Sequence, residues 1–105
     1  MLKKINTKTK PMSRKRKPIY PNQIRRYRRK RHLRLRDIAK LTGRSDASHF
    51  SHWEKGRKLP TLTNALKLSA AIGCPVEVLF WDHFQPIRKN IYAKRKKFNI
   101  YPEYD

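Results

Sequence analysis

An all-α domain built from five short helices is what this sequence predicts, on three observations. From about Ile19 to Trp81, apolar residues recur at three- and four-residue intervals, the spacing that lines one face of a helix. No alternating apolar run bounded by turn signals suggests a strand. Gly43, Gly56 and Gly73 each follow a helical pattern at the place where such patterns stop.

The first helix is expected from about Asn22, a plausible N-cap after Pro21, to Arg31, with Ile24 and Tyr27 facing inward. The second covers Leu35 to Leu41, with Leu35, Ile38 and Leu41 at three-residue spacing. The third spans Asp46 to Lys55, capped by Ser45 or Asp46 and ended by Gly56 in the left-handed position. Its Phe50 and Trp53, three apart, form a buried side. The fourth follows Thr61, an N-cap candidate after Pro60. It should bury Leu62, Ala65, Leu66, Leu68 and Ile72 and stop at Gly73. The fifth is short: Pro75 suits a first helical turn, and Val76, Val78, Leu79 and Phe80 supply apolar contacts.

The chain has 105 residues, enough for one small domain. Its 28 lysines and arginines against 7 acids give a formal charge of +21. On a small body that charge repels itself, which argues for a polyanionic partner. Nucleic acid is the commonest such partner and an anionic membrane surface the next. No apolar run is long enough for a membrane span or a secretory signal. Cys74, the single cysteine, excludes an intramolecular disulfide and fits a reducing compartment, so a cytoplasmic protein is expected. Residues 1–18 hold eight basic side chains, no acid and few apolar groups, and predict a basic arm without fixed structure. Residues 19–82 form the folded unit. Residues 83–105 make a basic tail in which 87–98 could be helical, with Ile87, Ile91 and Phe98 near one side.

Two short helices joined by a polar turn, inside a strongly cationic chain, suggest a helix-turn-helix with its second helix in a DNA groove. The residues that carry this are Ile24-Arg25-Arg26-Tyr27-Arg28, Leu33, Ile38-Ala39 and Gly43. They continue as Phe50-Ser51-His52-Trp53-Glu54-Lys55-Gly56, Pro60, Leu66-Lys67-Leu68, Ile72-Gly73 and Val78-Leu79. In order and spacing, Asn22 to Phe80 resembles the phage-repressor and Cro type of helix-turn-helix domain, the XRE family. The resemblance implies a compact lambda-repressor-like fold and a small transcriptional regulator of bacterial or phage type. It further implies binding to double-stranded DNA, commonly as a homodimer on a palindromic site. Two departures stand out. Arg44-Ser45 occupies the place of a small apolar residue, and Gly43 to Glu54 is one residue longer than the family pattern. An extra residue in the turn between Gly43 and Asp46 accounts for both.

In that geometry the recognition helix meets base edges while neighbouring cations grip phosphates. Ala47, Ser48, His49, Ser51 and His52 are the expected base-facing residues, with Arg44 beside them. Ala47 could touch a thymine methyl, and the planar fork of Arg44 matches the paired acceptors of guanine. Arg25, Arg28 and Arg36, with Lys55, Arg57 and Lys58 after the third helix, are the expected phosphate contacts. Six like charges among Arg25, Arg26, Arg28, Arg29, Lys30 and Arg31 destabilise an isolated helix, a cost that an anionic surface relieves. Arg14, Lys15, Arg16 and Lys17 read either as a minor-groove or backbone arm or as a solubilising tail. The tail after Asp82 either adds backbone contacts or packs on a second subunit.

His49 and His52 lack the further ligands that a metal site needs, and no nucleophile-base pair or phosphate-cradling glycine loop is present. No enzyme, metal, cofactor, membrane or small-molecule substrate is therefore expected. Glu54 is expected to hold an arginine of the first helix. Two other readings compete: binding to RNA or to nucleic acid without sequence preference, and an antitoxin-type protein-interaction module.

Overall fold

The computed structural model describes residues 18–103. The described residues form six helices and no strand: α1 Ile24–Lys30, α2 Leu35–Leu41, α3 Ser48–Glu54, α4 Leu62–Ile72, α5 Val76–Leu79 and α6 Trp81–Phe98. Helices α1 to α5 surround one core. Its largest fully buried side chains are Ile24, Ile38, Phe50, Leu68, Ile72 and Leu79, with Trp53 and Phe80 completing it. Each helix thus contributes apolar side chains to it, and burial of each large one stabilises by roughly 1.5–3 kcal/mol. Phe50 and Trp53 meet edge to face at 5.2 Å.

The helix ends hold the assembly. The N-cap of α1 is Gln23 and not Asn22, and Gln23 makes no side-chain capping bond. Asn22 does related work from one position earlier. Its Oδ1 accepts the Ile24 N–H at 3.1 Å, and its Nδ2 donates to the Trp53 carbonyl at 2.8 Å. One amide thus satisfies an orphan donor of α1 and an orphan carbonyl of α3. The Gln23 N–H donates to the Leu79 carbonyl at 2.7 Å, closing α5 onto α1.

Helices α2 and α3 both end in a Schellman turn. Arg44 N–H reaches the Ala39 carbonyl at 2.8 Å around Gly43, and Arg57 N–H reaches the His52 carbonyl at 3.0 Å around Gly56. At α2's start, the Asp37 carboxylate accepts the Arg34 N–H at 2.7 Å; arginine has no acceptor to return, so this is half a capping box.

Three expectations need correction. Leu41, at the end of α2, is 63% exposed, and Leu62 and Leu66 are 72% and 54% exposed because the core takes the row Ala65, Leu68, Ile72 and the opposite side of α4 faces out. Helix α3 begins at Ser48, not Asp46, and neither Ser45 nor Asp46 is its N-cap residue. The basic segment is not a helix beginning at 87. It starts at Trp81, runs through Pro86 and crosses the expected boundary after residue 82. No residue of α6 is buried. No described helix is long and apolar enough to cross a membrane.

Candidate nucleic-acid interface

The turn between α2 and α3 is the segment where the family resemblance implies an extra residue. The Gly43 turn fixes Arg44, and Asp46 then folds its carboxylate over the start of α3. Asp46 Oδ1 accepts the Ser48 N–H at 2.9 Å and the Ser48 hydroxyl at 2.6 Å. Those bonds, the hydroxyl first, hold the Asp46 carboxyl below the usual carboxylate range. Ala47 is half-buried and packs against the core, less open to a ligand than Ser48, His49 and His52. The first turn of α3 is thereby shifted towards the C-terminus while Phe50 and Trp53 keep their inward positions.

That leaves Ser48, His49 and His52 exposed and Ser51 half-buried on the outer side of α3. Arg44 joins them from the turn. Its guanidinium carbon lies 5.8 Å from the Phe50 ring centroid and 5.9 Å from that of Trp53. Its Nη1 is 2.9 Å from His49 Nδ1, and its Nη2 donates to Asn64 Oδ1 at 3.4 Å. Arginine can only donate, so Nδ1 of His49 accepts and the ring proton sits on Nε2. The His49 ring stacks on Trp53 at 6.1 Å. Arg44 and His49 are therefore a coupled, oriented pair, and each keeps free N–H donors. The surface around them is a polar concavity lined by Gly43, Arg44, Ser45, Asp46, Ser48 and His49.

Most of the expected phosphate-binding cations are free of acids. Arg25, Arg36, Lys55, Arg57 and Lys58 are exposed, and none has a carboxylate within 4 Å among the described residues. Arg28 is the exception to the expected phosphate set. Its Nε and Nη2 each donate to a carboxylate oxygen of Glu54 at 2.8 Å, and its Nη1 donates to the Leu33 carbonyl at 2.7 Å. The Glu54 bond holds the guanidinium above its ordinary value. All of this turns Arg28 inward, as a strut between α1 and α3. The expected Arg14, Lys15, Arg16 and Lys17 arm lies outside the described residues.

Sequence reasoning missed Asn64, which lies in the first turn of α4 and reaches Arg44 only through the fold. It also missed the approach of the chain before α1. Tyr20 N–H donates to the Gly56 carbonyl at 2.9 Å, laying residues 18–20 against the end of α3. Neither contact has a local signal. Among the described residues no three His, Cys, Asp or Glu side chains gather as a metal group.

Comparison with known proteins agrees with this geometry. No curated protein matches. Among solved structures, the restriction-modification controller protein C.AhdI from Aeromonas hydrophila is similar, with 31% identity and a TM-score of 0.50. The match covers 55% of this chain and 86% of that one. The helix-turn-helix family model matches residues 24–79, more than half of the chain and the span from α1 to α5. The chain belongs to the helix-turn-helix family of the phage-repressor and Cro type, a family of DNA-binding transcriptional regulators and not of enzymes.

Proposed function

We propose that this protein is a sequence-specific regulator that recognises double-stranded DNA by laying α3 in the major groove. The single observation that carries this reading is the exposed row of α3. Ser48, His49, Ser51 and His52 stand with Arg44 on one side of a helix whose other side is locked into the core by Phe50 and Trp53. A rigid helix with a polar, donor-rich outer row is what base readout needs. Arg44 and His49 offer donors to the N7 and O6 of guanine; Ser51 accepts or donates, while Ser48, whose hydroxyl proton is held by Asp46, accepts. Arg25, Arg36, Lys55, Arg57 and Lys58 fix the register on the phosphates.

The similarity to a restriction-modification controller supports a regulatory role, exerted by occupying an operator. A homodimer on a palindromic operator, with half-sites about one helical turn apart, is the arrangement we propose. Selection of bound sequences from random duplex DNA at physiological salt tests the reading. The expected result is a palindromic consensus preferred about a thousandfold or more over bulk DNA. No consensus, or stronger competition by structured RNA, refutes it.

A further inference from the structure

We infer that α6 is a second phosphate-binding surface, which extends the protein's grip along the duplex beyond the bases that α3 meets. This rests on the reading of α3 as the DNA-facing helix.

Three observations carry it. The first is charge. Between Arg88 and Lys97, α6 bears six cations (Arg88, Lys89, Lys94, Arg95, Lys96 and Lys97), and none has a carboxylate within 4 Å among the described residues. The helix's one acid, Asp82, already accepts a bond from Gln23 Nε2 at 2.7 Å. The second is anchorage. Besides that bond, His83 meets the Tyr20 ring edge-on at 5.9 Å, and Phe84 and Ile87 share an apolar groove with Leu59, Pro60 and Leu62. Leu59 and Pro60 belong to the loop that carries Lys55, Arg57 and Lys58. The root of α6 thus lies across that groove from the loop whose cations are proposed above for phosphates. The third is preorganisation. The guanidinium carbons of Arg88 and Arg95 lie 4.4 and 4.6 Å from the Tyr92 ring centroid, which holds two long side chains in place without neutralising them.

The same charge argues against a second copy along this helix. Ile87, Ile91 and Phe98 remain exposed on α6, but Lys94 stands in their row and Arg88, Arg95 and Lys97 flank it, so pairing two such helices sets like charges together. A polyanion relieves that repulsion. Arg88 to Lys97 spans about 14 Å at 1.5 Å per residue. Duplex DNA presents roughly eight charges over that length, at one per ~1.7 Å.

The test uses the full chain and the selected consensus duplex in two lengths, one trimmed to the consensus and one extended on both sides. The variants replace all six cations with glutamine, or only the exposed Lys94, Lys96 and Lys97; circular dichroism confirms that the helix persists. The wild type is expected to show a steeper log-log salt dependence on the extended duplex. Each phosphate contact removed lowers the slope by about 0.9, so the triple variant loses up to about 2.7. Preference for consensus over scrambled duplex stays unchanged. Exchanging Arg for Lys and Lys for Arg at these positions retains the slope. The inference is overturned if a folded variant keeps the wild-type slope on the extended duplex. It is equally overturned if the loss appears only on structured RNA, or only as a change in subunit number. Failure of the α3 reading is seen separately, as equal binding of consensus and scrambled duplex by the wild type.

Discussion

Arg28 directs Nε and Nη2 at Glu54 and Nη1 at the Leu33 carbonyl, so its charge serves the fold and is not free for a ligand. The two side chains are 12% and 9% exposed. Removing one partner of a fully buried pair costs about 3–5 kcal/mol, and slight solvent access reduces that to about 2–3 kcal/mol here. Glu54→Ala should therefore lower urea-unfolding stability by that amount. Arg28→Gln should destabilise the fold yet leave the salt slope of DNA binding unchanged, whereas Arg25→Gln should reduce the slope by about 0.9 with little effect on stability. Equal slopes for the two arginine variants would contradict the division of labour. Arg44 is tested by lysine, which keeps charge and stem but loses the planar fork. Repeating the sequence selection with Arg44→Lys should relax preference at one base position, by about 1–3 kcal/mol, while the other positions hold.

Helix ends are the next scale, and here two glycines separate strain from clash. Gly43 (φ 79°) has open space where a Cβ would go, so Gly43→Ala carries only the left-handed cost, about 1–2 kcal/mol. At Gly56 (φ 72°) the same atom would stand 2.7 Å from both the Pro18 Cβ and the Tyr20 carbonyl oxygen. Gly56→Ala should cost more than Gly43→Ala and push residues 18–20 off α3; comparing the two thermal midpoints checks this.

Asp37 and Asp46 hold the starts of α2 and α3, and both carboxyls lie below their ordinary value. The Arg34 N–H leads for Asp37 and the Ser48 hydroxyl for Asp46. A lowered folded value means that their contribution is present in full above the ordinary carboxylate range, near pH 4. It is lost as pH falls through the folded values. Asp37→Asn and Asp46→Asn should each flatten the acid limb of the stability curve below about pH 4, with little change in its shape at neutral pH.

These ends also mark what could be read from residues alone. Stops at Gly43 and Gly56 were legible because glycine there has a local meaning. The end of α1 was legible to within one residue, although His32 and not a glycine takes the left-handed position there (φ 56°). Pro86 lies inside α6, where it removes only the donor for the Asp82 carbonyl, on an exposed stretch of the helix open to solvent. In the site, Phe50 and Trp53 were legible from spacing. Which of several arginines Glu54 would take was not, because that choice depends on distance across the fold.

For the whole molecule, 28 cationic side chains against 7 acids set two opposing salt effects. Alone, the protein carries self-repulsion over a body whose charges lie within a few Debye lengths of one another, about 10 Å at 0.1 M salt. Raising salt should screen that repulsion and raise the thermal midpoint of the free chain. With consensus duplex present at a hundred times its Kd, binding should add about 2.7 kcal/mol, or ten degrees or more for a domain of this size. That increment should shrink as salt rises, because releasing counterions into more concentrated salt gains less, in proportion to the phosphates contacted. Thermal scans with and without duplex over a salt series should therefore converge, the free curve climbing and the bound curve falling. A flat free curve would mean that the positive charge does not repel itself in the fold, and parallel curves that it does not meet phosphate in the complex.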